Sequence, residues 1–321
     1  MANPLYTIEQ LPTTSQAAIR EFSELFIGYI GASKPTGWVD TLGALVPTSS
    51  PMVTFPVSQL RTKYQKTGGE DRAKTLQEKS FDIKAEEFDD GYEAALLDLY
   101  TKVFAYRQWS AAPQRLVLAE EQFRHDNVAT LLEAGATTVC VDGEFFFDTD
   151  HPANLSDTNA GTWSNYQSAA KDVVSVANLE AEVALMMAVK DENGKKFGVY
   201  PDTILVPVEK FEPLKNLLKQ AQIANTAGTA GVSNPYLNGF NVIPVKEFTD
   251  PNDWYLVDSN LIAEAPPWVT LRMTVPAALQ LRTFDEASDF FKNTGRLKMS
   301  SHIWYGFSLA LPHAIRKIVG A

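Results

Sequence analysis

Cysteine is almost missing from this 321-residue chain: Cys140 stands alone, and the four histidines, His125, His151, His302 and His313, are scattered. One thiol cannot close an intrachain disulfide, so stability has to come from packing or association, and folding in a reducing cytoplasm is expected. Long apolar runs are missing too. No stretch approaches the roughly 20 apolar residues that span a bilayer, and Met1 to Leu11 lacks a basic segment followed by an apolar one, so neither membrane insertion nor secretion is expected. Basic residues are outnumbered, 28 Lys and Arg against 39 Asp and Glu, and the net charge of -11 repels phosphate over most of the surface. Sequence-specific nucleic-acid binding is therefore not expected. The glycine-rich run Ala227 to Gly239 fits neither GxxxxGK(S/T) nor GxGxxG, and without a GxSxG elbow or a Cys/His pairing a nucleophilic triad has no local support.

What is present is the composition of a folding chain, 45% apolar and 21% charged. At this length one large domain or two closely joined ones are expected. Ile19, Phe22, Phe26 and Tyr29, with Leu25 and Ile30 beside them, recur at three- and four-residue spacing and predict an amphipathic helix over 15–30, with Ser15 as its N-cap. The stretch from Gly31 to Ser50, rich in Gly, Pro, Ser and Thr, reads as an extended tether. It is long enough for the helix to pack on its own body or on a neighbouring copy, which makes Ile19, Phe22, Phe26 and Tyr29 candidate inter-subunit contacts.

Rough alternation from Met52 to Leu60 and a second run from Leu76 to Ala85 predict the strands of a hairpin. The chain between them carries Arg61, Lys63, Lys66, Arg72 and Lys74 and too little apolar surface to fold onto a core. It is expected to project, either as a surface loop or over a neighbouring subunit, and these five cations are the second set of candidate inter-subunit contacts. Tyr92, Leu96, Leu99 and Val103 lie at helical spacing and predict a helix over 88–103. A second helix is expected from Pro113 to a stop at Gly135, with a break near Trp109 to Pro113. A short β-rich run, Thr137 to Val141, follows. From Ser168 onward the signals alternate: helix over 178–190, strand over 203–208, helix over 210–220, strands over 240–245 and 254–257, then strand-like runs at 269–275 and 303–311.

The densest polar constellation is Asp142, Asp148, Asp150 and His151 in VDGEFFFDTDHPAN. Oxygen and imidazole donors at such spacing could hold a divalent cation. The spacing is not that of an EF-hand, however, and Asp before Gly or Pro also suits tight turns, with Phe145 to Phe147 as a buried strand between them. The turn reading is preferred; no metal, cofactor or catalytic residue is assigned.

At Val141 to Pro152 the chain resembles the Mu-like phage major head subunit family, in which a "DG, aromatic pair, DTDHP" signature follows a long helix. The order of features agrees: an amphipathic N-terminal region, a polar hairpin, an acidic run (Glu86, Glu87, Asp89, Asp90, Gly91, Tyr92) read as a helix start, and LLEAG at Leu131 to Gly135. The resemblance covers Phe22 to about Leu311. It implies an α+β, HK97-like phage capsid fold, with an N-terminal arm over 1–50 and an extended hairpin loop over 51–85. A peripheral domain with a long spine helix would comprise 86–167 and 260–321, and an axial α/β domain 168–259. It further implies a structural, non-enzymatic role: self-assembly as hexamers and pentamers into an icosahedral head around double-stranded DNA. Portal, scaffold or decoration proteins would be partners, with no membrane, and the chain would be made in the bacterial host cytoplasm and end in the virion. An encapsulin-like compartment shares the fold. A metal-dependent enzyme using Asp142, Asp148 and His151 is the remaining alternative.

Overall fold

The computed structural model describes residues 14–32, 37–57, 79–154, 161–190, 196–224, 231–274 and 279–321. A helix of 32 residues, Val103–Ala134, organises much of it. Tyr106, Trp109, Leu116, Val128 and Leu132 are buried along its length, so the helix is pinned to the body from end to end. It runs through Pro113 without the expected break. Proline removes one backbone donor, but Ala112, Pro113, Leu116 and Val117 are all buried, and packing on both sides of the proline outweighs that loss. A shorter helix, Ser15–Ala32, lies along its first half.

The largest departure from the sequence reading falls on 88–95. Glu86–Ala95 is a ten-residue strand, and helix begins only at Leu96–Thr101. Phe88 and Tyr92, four apart, share a face in a helix and equally in a strand, so their spacing could not decide. The partner decides: the strand pairs antiparallel with Arg296 to Tyr305 along its whole length. Gly91 sits where an added Cβ would come within 2.7 Å of the Met299 carbonyl, so the close approach of these two strands depends on glycine there. The long strand Arg296–Leu309 also pairs with Trp268–Met273 and with Leu279–Phe284, and Ala44–Thr48 adds in parallel to Trp268–Met273, completing a five-stranded sheet. The short helix Asp289–Thr294 was not read from the sequence. Ser288 caps it by accepting from the Phe291 N–H at 3.2 Å, and Gly295, at φ 65°, ends it.

Met52–Val57 and Lys79–Lys84 form the antiparallel arms of the hairpin, with Phe55 stacked on Phe81 at 5.4 Å. A second five-stranded sheet runs in the order Asn241–Val245, Thr203–Pro207, Trp254–Val257, Ile315–Ile318, Tyr166–Gln167. It draws its last two strands from outside 168–259, so the chain's C-terminal end is woven into the α/β part. Thr203–Pro207 is buried at every position, and Val176–Met187 and Val208–Lys219 supply Leu179, Met186, Leu214 and Leu218 to the same core. Among the described residues no helix is long and apolar enough to cross a membrane.

Candidate functional site

The polar constellation near the end of the long helix separates into two groups. Gly143, at φ 101°, makes the turn that brings the Cys140 N–H to within 2.7 Å of the Glu144 carbonyl. Phe146 and Phe147 then point inward while Phe145 stays exposed, so the three phenylalanines form an irregular segment rather than the expected buried strand. Asp142 is thereby aimed inward at His151, whose Nδ1 lies 2.7 Å from its carboxylate. The other ring nitrogen, Nε2, lies 3.0 Å from Asn165 Oδ1. Asn165 is oriented by its surroundings: Oδ1 accepts from the Asp148 N–H, and Nδ2 donates to the Phe146 and Pro312 carbonyls. Both imidazole nitrogens therefore face side-chain oxygens. The network ties the 142–151 segment to residue 165 and to the chain's end, with no access from solvent.

An aromatic stack continues it. His151 lies on Trp163 at 4.7 Å, Trp163 on His313 at 4.6 Å, and His313 on Phe197 at 4.6 Å. Burial, with a smaller push from His151, lowers the His313 pKa to about 3. The unfolded chain takes up this proton near the ordinary histidine value of about 6.5, the folded one only far lower. Stability from this group is full above that value and is lost as pH falls from about 6.5 toward 3, a few kcal/mol at most. In parallel acid titrations followed by circular dichroism, His313→Phe should keep the stack and flatten this slope. Identical slopes for parent and variant would contradict the account.

Asp148 and Asp150 go the other way, into solvent with Glu144, their oxygens within 4.8 Å of one another. Burial would raise the Asp148 pKa, but hydrogen bonds from the Thr149 N–H, Asp150 and the Phe145 N–H hold it below the ordinary value, while Asp150 is raised by its bond to Asp148. The two carboxyls thus shift in opposite directions, as close like charges do. The trio Asp142, Asp148 and His151, on which an enzyme was conceivable, is thus not brought together: two of its members are buried on each other and the third faces away. Cys140 is held above by burial and by Asp142, its thiol pushed up to about 12. Its alkylation at pH 8 should be on the order of a thousandfold slower than in the unfolded chain. Equal rates would show that the turn does not shield it.

The N-terminal stripe is seated on its own chain. Phe22 and Phe26 are 0% and 2% exposed in a core with Leu99, Trp109 and Leu116, and Ile19 and Tyr29 pack at its edge. Trp109 donates from Nε1 to the Ala18 carbonyl at 3.1 Å and its ring meets Phe22 at 5.0 Å; Tyr106 donates to Glu21. In this arrangement the two phenylalanines leave no apolar surface for a neighbour, because the long helix of the same chain offers a matching face. Arg61, Lys63, Lys66, Arg72 and Lys74 lie outside the described residues.

Sequence reading missed the groups that complete the buried junction, Asn165, Trp163 and His313, and a buried ion network beneath the second sheet. There Glu182, fully buried, accepts from Arg316 Nε at 2.7 Å and from Lys171. Residues so far apart in sequence carry no local signal.

With this geometry in place, the comparisons with known proteins decide the family. A model of phage capsid proteins matches residues 104–318, and a model of the Mu-like prophage major head subunit gpT matches 31–173. The chain belongs to the phage capsid protein family. It is a major capsid protein of a phage head, and its fold is the HK97-like one. Three solved structures illustrate the likeness of fold. The procapsid of bacteriophage JBD30 is 14% identical, with a TM-score of 0.53 over 95% of this chain and 75% of that one. The capsid of a native GTA particle is 14% identical, at 0.51 over 89% and 92%. The third, from Mycobacterium phage Patience, is 13% identical, at 0.50 over 100% and 94%. No curated protein matches the chain. For this capsid protein the junction around His151 is an internal fastening, and its working surfaces are those that meet other copies.

Proposed function

We propose that this capsid protein assembles as pentamers and hexamers into a closed icosahedral shell that encloses double-stranded DNA without reading its sequence, and that it catalyses no reaction. The match over 104–318 carries the reading, because it spans both the long helix and the second sheet. The net charge of -11 supports a container that does not grip its contents. The buried state of Asp142 and His151 supports a structural role for the signature. On this reading the hairpin is an extended loop over a neighbouring subunit, 86–167 with 260–321 form a peripheral domain, and 168–259 an axial one. Portal, scaffold or decoration proteins would be further partners, and synthesis would take place in the bacterial host cytoplasm.

Particles purified after nuclease treatment should protect double-stranded DNA when the packaging machinery is present. Deleting residues 61–74 should leave a folded subunit that forms no stable shell. Normal shells from the deletion would remove the hairpin from the assembly surface, and protein cargo in place of DNA would favour an encapsulin-like compartment.

A further inference from the structure

A pocket of about 590 Å³ opens where four parts of the chain meet: the signature's end at Thr149 and Ala153, the run 161–167, the end of the helix Val176–Met187, and the last strand at Arg316. In size it falls within the roughly 300–1,000 Å³ of sites that hold small organic ligands. Its lining is one-sided in charge. Arg316 and Lys190 bring two cations to it and no carboxylate lines it, in a chain whose net charge is -11. Leu185 and Val189 give it an apolar wall.

Two donors in that lining lack acceptors. Arg316, 2% exposed, gives Nε to Glu182 and Nη1 to the Ser164 carbonyl, and its Nη2 meets no acceptor among the described residues. Trp163, 8% exposed, packs its ring on His151 and His313, and its indole N–H is buried without an acceptor. The charges do not balance either, since the one buried carboxylate of Glu182 serves two cations, Arg316 and Lys171. Buried cations and buried N–H groups are ordinarily paired, and here both are left short by one partner.

We infer that this pocket is a binding site for a small organic anion, a carboxylate on a short apolar tail. A single negative charge matches the surplus around Glu182, and its oxygens supply the acceptors that Arg316 and Trp163 lack. Lys190 adds attraction at the rim, and the wall of Leu185 and Val189 takes the tail. Because four parts of the chain border the pocket, an occupant ties them together and stabilises the subunit.

The test uses the full chain with hexanoate as the probe, acetate as the control for the tail and hexylammonium as the control for charge. Binding is read by ligand-observed NMR and by the thermal midpoint. Hexanoate should bind with a Kd of about 1 mM, acetate roughly tenfold more weakly, and hexylammonium not at all. Hexanoate at about ten times its Kd should raise the midpoint by roughly 2–4 °C. Lys190→Glu, a change at an exposed position, should weaken hexanoate about fivefold, and Trp163→Phe, which keeps a ring in the stack, about threefold. Should Trp163→Phe fold poorly by circular dichroism, Lys190→Glu and the two control ligands still decide. No binding of hexanoate, equal binding of hexanoate and hexylammonium, or unchanged affinity in either folded variant overturns the inference and leaves the capsid reading intact.

Discussion

Glu182→Ala should destabilise the folded subunit by about 3–5 kcal/mol, lowering the thermal midpoint by roughly 5–8 °C for a chain of this size. The size follows from what is left behind. Arg316 has 3% of its side chain exposed and would lose the partner at its Nε, keeping only its bond to the Ser164 carbonyl. Lys171 is less confined and can turn toward water. An uncompensated buried guanidinium is the dominant cost, so replacing Glu182 and Arg316 together by Leu and Met should cost far less than Glu182→Ala alone. Thermal unfolding followed by circular dichroism checks both. A double variant as unstable as the sum of its singles would mean that side-chain packing, not the ion pair, holds this part of the core.

The second large effect is expected at the N-terminal helix. Phe22→Asp with Phe26→Asp puts two carboxylates where each ring contributed about 1.5–3 kcal/mol by burial. The helix packs on the long helix and belongs to neither sheet, so it should come away rather than pull the fold apart. An isolated helix of 18 residues is marginal in water and should largely unwind, while both sheets persist. Trypsin reports the change, since Arg20 lies within the helix: the unassembled parent should resist cleavage there and the double variant should not. If the seat were instead on a neighbouring subunit, the unassembled parent would already be cut after Arg20 and would gain protection only on assembly.

The pattern of what could be read from the sequence has physical causes. The hairpin, the strands at Thr203–Pro207 and Trp254–Val257, and the helices of the α/β part were legible because period and flanking residues agreed in each. Glu86–Ala95 was not, because Phe88 and Tyr92 satisfy both periods and only the long strand from Arg296 breaks the tie. Pro113 signals a break that local rules demand and tertiary packing overrides. The signature around Asp142 and His151 was visible, but its split into a buried pair and an exposed pair was not. That split depends on Asn165, whose amide is fixed by carbonyls at Phe146 and Pro312, 19 and 147 residues away.

Electron microscopy of the purified chain tests the central claim most directly. The account predicts closed, isometric shells whose reconstruction shows this fold repeated in rings of five and six. A folded, monodisperse protein that forms no shell under any assembly condition, with or without the other proteins of the head, would contradict it.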